Sequence, residues 1–115
     1  MPQESFDLEE LQISPAEFHA QRARGDKFLL VDVREPWEHQ ICRIEGAELI
    51  SLGRLPMEWQ RLDQAGEVIL YCHHGIRSLD AAAWLRAQGV ESARSLAGGI
   101  DRWSREIDPS VPRYD

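Results

Sequence analysis

The heptapeptide Cys72-His73-His74-Gly75-Ile76-Arg77-Ser78 places a thiol, a glycine and a guanidinium within one short turn. Those residue types can hold and use a sulfur anion. The preceding Val68-Ile69-Leu70-Tyr71 has no polar alternation, the pattern of a parallel strand buried on both faces, so Cys72 is expected at a strand's carboxyl end. The following residues start with Ser78, put Asp80 in a first turn, carry Leu79, Ala82, Ala83, Trp84 and Leu85, and stop at Gly89, which predicts a helix over 78–88. The thiol is therefore expected in a strand-to-helix turn.

The first amides of a helix lack intrahelical partners and, with the helix dipole, favour an anion held in front of them. A free cysteine titrates near about 8.5, and helix N-termini or nearby cations lower that value and make the sulfur nucleophilic. Gly75 permits the left-handed backbone that turns amides inward as a nest. Arg77 adds a fork of donors suited to a tetrahedral oxyanion such as a sulfonate. Two other readings apply to the same residues. A lone buried cysteine is commonly an inert core thiol. His39, Cys42, Cys72, His73 and His74 offer zinc-type ligands, but adjacent histidines on a tight loop tend to diverge and no Cys-x-x-Cys pair exists, so no metal is assigned.

Positioning such a turn requires a sheet, and the chain alternates helical and strand patterns without a linker or repeat. Ser14-Pro15-Ala16-Glu17 has a cap, a first-turn proline and a capping-box glutamate, predicting a helix over 15–24 that ends at Gly25. A strand over 28–32, a short helix over 36–41, a short strand over 48–50 and a helix over 57–62 follow. Beyond the strand over 68–71 and its helix come a strand over 93–96, Gly98-Gly99 and a helix over 100–105. Ligands of open parallel sheets bind beyond the strands' carboxyl ends, which brings Asp32 and Arg34 toward the edge that carries Cys72. Their expected role is support: Asp32 accepts loop amides and Arg34 braces a carboxylate.

The 115 residues fit one domain, and the formal charge of -7, from 20 acidic and 13 basic residues without a basic stripe, argues against nucleic acid as a partner. Met1-Pro2-Gln3-Glu4-Ser5 does not begin a secretory signal, and no apolar run approaches membrane-spanning length. A cytoplasmic protein with a reduced thiol and no membrane partner is expected. Trp37, Trp59, Trp84 and Trp103 fall in helical patterns and are expected to pack.

Four motifs in order, Asp32-Val33-Arg34-Glu35 with Glu38, Ile44-Glu45-Gly46-Ala47, the Cys72–Ser78 turn, and Leu96-Ala97-Gly98-Gly99-Ile100-Asp101-Arg102-Trp103, make the chain similar to the rhodanese-like superfamily in its single-domain form. The resemblance implies an α/β fold, an open five-stranded parallel sheet with helices on both faces. It also implies that Cys72 is the catalytic nucleophile, that His73, His74, Gly75, Ile76, Arg77 and Ser78 form the substrate-binding turn, and that no cofactor is used. Related phosphatases have a turn one residue longer; the count from Cys72 through Arg77 is six, which favours sulfur over phosphoryl chemistry.

The implied reaction moves a sulfane sulfur from thiosulfate or a related donor, through a Cys72 persulfide, to cyanide, a thiol or a sulfur-accepting protein. A relay or regulatory module that acts mainly through a protein partner is the alternative. Arg77 either orients the donor or locks the turn against a carboxylate. Many relatives have Gly-His where this chain has Cys42-Arg43; Cys42 is expected in the core and Arg43 at the entrance or the surface. Where thiosulfate-preferring relatives often carry strongly basic residues, this chain has His73 and His74, which attract a dianion less. The segment Ile107–Tyr114 is similar to the tail of rhodanese domains fused to adenylyltransferases.

Overall fold

The computed structural model describes residues 8–63 and 66–115, so Met1–Ser5, read above for a secretory signal, lies outside the described residues. In chain order the elements are α1 (Leu8–Leu11), β1 (Gln12–Ile13), α2 (Pro15–Arg24), β2 (Leu29–Asp32), α3 (Pro36–Ile41), β3 (Glu48–Leu49), a 3₁₀ turn (Leu52–Arg54), α4 (Leu55–Leu62), β4 (Val68–Tyr71), α5 (Ile76–Gln88), β5 (Ala93–Leu96) and α6 (Gly99–Glu106). All strands are parallel, in one five-stranded sheet of order β1-β5-β4-β2-β3.

β4 is central and every residue in it is buried, as its unbroken apolar run requires. Its alternate residues feed two cores. Val68, Leu70 and Cys72 join Leu55 and Leu62 of α4 and Ala81, Ala82 and Leu85 of α5, whereas Ile69 and Tyr71 join Phe18 of α2 and Ile100 and Trp103 of α6. Helices therefore cover both faces of the sheet, and Cys72 points to the face that α5 covers.

The α2 boundaries match the sequence expectation because they are set by local chemistry. The Glu17 amide donates to Ser14 Oγ at 3.1 Å, and Gly25 closes the helix at φ 80°. Four of the five strands lie where the sequence places them, β2 and β4 on apolar runs, but β1 is an addition. Two residues carry no periodicity, and β1 is a strand only through its pairing with Ser95 and Leu96.

Helix α5 begins at Ile76 rather than Ser78, so Ile76, Arg77 and Ser78 form its first turn. Gly75, at φ 95°, reverses the chain one step earlier than a search for a hydroxyl cap suggests. Helix α4 likewise starts at Leu55, since Pro56 fits a first helical turn. Trp37 corrects another expectation: it is 56% exposed on α3, while Trp103 is buried. Among the described residues, no helix is long and apolar enough to cross a membrane.

Candidate active site

Cys72 follows β4 and is buried, with its sulfur facing the start of α5. The amides of Gly75 and Ser78 donate to Sγ at 3.1 and 3.3 Å, and Ser78 Oγ lies 3.4 Å away. Ser78 is the third residue of α5, so the sulfur takes the place that an N-cap side chain normally fills. Ser78 Oγ also shares a 2.7 Å hydrogen bond with Ser95 Oγ on β5, which fixes the buried hydroxyl beside the sulfur. The site thus presents oriented N–H dipoles wherever negative charge resides on sulfur.

A second helix holds the turn from the other side. The Ile100 and Asp101 amides, at the start of α6, donate to the carbonyls of Cys72 and His73 at 2.9 and 3.1 Å. This contact brings Gly99 against the Cys72-His73 peptide and Gly75 against Gly98, where an added Cβ at position 75 would lie 3.0 Å from the Gly98 nitrogen. Glycine is required at both places by close backbone approach as well as by positive φ.

Arg77 directs Nη1 and Nη2 to Glu38 Oε1 and Oε2 at 2.8 and 2.9 Å, a bidentate pair that ties the turn to α3. Of the two roles considered for Arg77, this arrangement is the bracing one. Glu38 is almost fully buried and also accepts from its own helix's Glu35 amide at 3.1 Å and from Tyr114 OH at 2.6 Å. Burial works to raise the Glu38 pKa, but the Arg77, Tyr114 and Glu35 donors outweigh it and bring the group from 4.5 down to about 2.

A depressed carboxylate stabilises the fold fully above its unfolded pKa, and that stabilisation is lost as pH falls through the folded value. Glu38→Gln should therefore cost about 2–3 kcal/mol at neutral pH and flatten the loss of stability between pH 4.5 and 2. Urea denaturation at a series of pH values measures both effects. Equal acid sensitivity of the two proteins through that window would contradict the assignment.

Asp32 ends β2 in register with Tyr71, one residue before the level of Cys72. Its carboxylate accepts from the Arg34 amide at 3.0 Å, Arg34 Nε at 2.8 Å and Arg34 Nη2 at 2.7 Å, with His39 Nδ1 2.8 Å away. Arg34 is fully buried, and its remaining donors reach the Cys42 carbonyl at 2.6 Å and Tyr114 OH at 2.9 Å. Burial opposes its charge, yet the Asp32 and Tyr114 partners keep the guanidinium firmly protonated. Neither Asp32 nor Arg34 hydrogen-bonds Cys72; they reach the turn through Tyr114 and Glu38. Cys42 is a buried core residue, and Arg43 is exposed.

His73 and His74 do not diverge as expected: their rings stack at 3.9 Å, and Tyr114 stacks on His73 at 3.9 Å with planes 8° apart. Burial, and then the neighbouring His74, lower the His73 pKa and favour its neutral form. Among the described residues, His73, His74 and Asp101 bring potential ligand atoms within 4.8 Å of one another. Asp101 also accepts from Arg105 at 3.2 Å and Arg113 at 2.8 Å, so two guanidinium groups engage its carboxylate.

Glu38, Ser95, Gly99 and Tyr114 are the structural contributors to which sequence reasoning gave no site role. Glu38 and Gly99 stand within motifs already singled out, but Ser95 carries no chemical signal. Tyr114 becomes informative only when its contacts, 76 and 80 residues away in sequence, are formed.

Comparison with known proteins adds family information to this geometry. The model of the rhodanese-like domain matches residues 14–106. The thiosulfate sulfurtransferase GlpE of Stutzerimonas stutzeri is 34% identical over 104 residues, covering 90% of this chain and 93% of that protein. The probable adenylyltransferase/sulfurtransferase MoeZ of Mycobacterium tuberculosis is 36% identical over 104 residues, covering 89% of this chain but 26% of that protein. The chain thus spans about a quarter of that relative's length. The crystal structure of a rhodanese-related protein from Thermoplasma volcanium superposes with a TM-score of 0.76 at 27% identity, covering 90% of this chain and 98% of that one.

Proposed function

The chain belongs to the rhodanese-like domain family, and on that basis we propose that it is a sulfurtransferase that carries a sulfane sulfur on Cys72 as a persulfide. The observation that carries this reading is the Cys72 sulfur held by the Gly75 and Ser78 amides at the start of α5. In the first step the Cys72 thiolate attacks the outer sulfur of thiosulfate. A sulfur–sulfur bond forms to Cys72, the donor's sulfur–sulfur bond breaks, and sulfite leaves with the electron pair. In the second step a thiophile attacks the outer sulfur, and Cys72 departs as thiolate.

The substrate turn comprises His73, His74, Gly75, Ile76, Arg77 and Ser78, whose amides offer the outer sulfur an anion cradle. Arg77 braces this turn through Glu38, with Asp32 and Arg34 as support behind it. The six-residue span from Cys72 through Arg77 favours sulfur over a phosphoryl group. Cyanide is the assay acceptor, and a cellular thiol or sulfur-accepting protein is the acceptor assigned to the working enzyme. The likeness to an adenylyltransferase/sulfurtransferase supports the protein acceptor, and hence a relay version of the same chemistry.

Intact-mass measurement tests the proposal. Incubation with thiosulfate, or with another persulfide donor, should add one sulfur atom to the protein, and cyanide should remove it with release of thiocyanate. No adduct with any such donor would overturn the reading. An adduct that passes to one protein much faster than to small thiols would identify the relay version.

A further inference from the structure

The segment after α6 folds back over the site and is fastened at three places. Ser104 Oγ donates to the Val111 carbonyl at 2.6 Å, with Val111 buried in the α2–α6 core. Arg113 Nε donates to Asp101 Oδ1 at 2.8 Å. Tyr114 then reaches the catalytic turn itself: its hydroxyl accepts from Arg34 and donates to Glu38, while its ring lies flat on His73. One side chain thereby touches both the brace on Arg77 and the residue next to the nucleophile.

We propose that Tyr114 is a positioning residue for Cys72: its hydroxyl holds Glu38 in the grip on Arg77, and its ring fixes His73 against the turn. This rests on the persulfide reading above. Arg34 polarises the Tyr114 O–H and strengthens the bond that it gives to Glu38. The charged and polar groups that face Glu38 are Arg77 from α5, Tyr114 from the returning segment and the Glu35 amide from its own helix end. Those that face His73 are His74, Asp101, Glu38 and the Tyr114 backbone. Tyr114 does not contact the cysteine sulfur, whose partners are Gly75 and Ser78, so it acts through the shape of the turn.

Tyr114→Phe keeps the ring and removes the hydroxyl, whereas Tyr114→Ala removes both. Carbon NMR titration of the Glu38 carboxyl should show its midpoint rise by about one pH unit in Tyr114→Phe, the size of one lost charge-assisted hydrogen bond. The His73 ring resonances should stay near their wild-type positions in that variant and move in Tyr114→Ala. The limiting rate of thiosulfate loading should fall about tenfold in Tyr114→Ala, with the half-saturating donor concentration within about twofold of wild type.

An unchanged Glu38 midpoint in Tyr114→Phe would overturn the inference, and this variant decides the matter if Tyr114→Ala does not fold. Wild-type loading matched by Tyr114→Ala overturns this inference alone. A wild-type protein that takes up no sulfur overturns the persulfide reading and this inference with it.

Discussion

Cys72→Ser should take up no sulfur under conditions that load the wild-type chain, a loss of more than roughly a thousandfold in transfer rate. The variant retains the geometry of the site and removes the thiol proposed to carry the sulfur. A serine hydroxyl at the same position still accepts from the Gly75 and Ser78 amides, so the buried oxygen has partners and the change in stability should stay within roughly 2 kcal/mol. What disappears is the sulfur, which attacks readily as a thiolate and departs readily from a persulfide; an unactivated serine oxygen does neither near neutral pH.

The competing thiol is Cys42, which is also buried and lies 3.9 Å from Arg34 Nη1. Among the described residues no helix's first-turn amide donates to its sulfur; it follows α3 and packs in the α2–α6 core. Intact mass with peptide mapping separates the two sulfurs. A sulfur adduct that persists on Cys72→Ser, or that maps to Cys42 in the wild type, would move the chemistry away from the β4–α5 turn.

The parts of the site that sequence revealed are those encoded within a few neighbouring residues. An apolar run, a cysteine, a glycine and an arginine in one turn are sufficient to read a strand end and a thiol set before a helix start, because the interactions that make them are local. The parts that sequence did not reveal depend on pairing at a distance. Glu38 and Arg77 are 39 residues apart, and nothing in either segment names the other as partner. The hydroxyl cap expected at Ser78 was displaced because Gly75 and the Cys72 sulfur together perform that function from outside the helix. His73 and His74 were expected to diverge as neighbours on a tight turn, and Tyr114 stacks against them from a segment no local rule connects to the turn.

Position 99 joins the two halves of this arrangement, and Gly99→Ala should be the most destabilising single methyl addition among the glycines of the site, costing about 3–5 kcal/mol. Gly99 sits at φ 63°, where a Cβ alone costs about 1 kcal/mol. The larger part is collision: the added carbon would lie 2.5 Å from the Cys72 carbonyl oxygen and 2.6 Å from the His73 carbonyl carbon, with the His73 oxygen as close. These are backbone atoms, so no side-chain rotation relieves the overlap. The start of α6 must withdraw, and with it go the Ile100 and Asp101 amides that hold the Cys72 and His73 carbonyls. Gly89→Ala provides the reference, since Gly89 has φ 110° and open space where its Cβ would point, leaving only the conformational cost. Denaturant unfolding should place Gly99→Ala several kcal/mol below wild type and Gly89→Ala about 1 kcal/mol below it. Folded Gly99→Ala should also load sulfur more slowly, because the Cys72 peptide has lost its support. Equal costs at the two positions would show that α6 yields freely, and that the cradle around Cys72 is held by β4 and α5 alone.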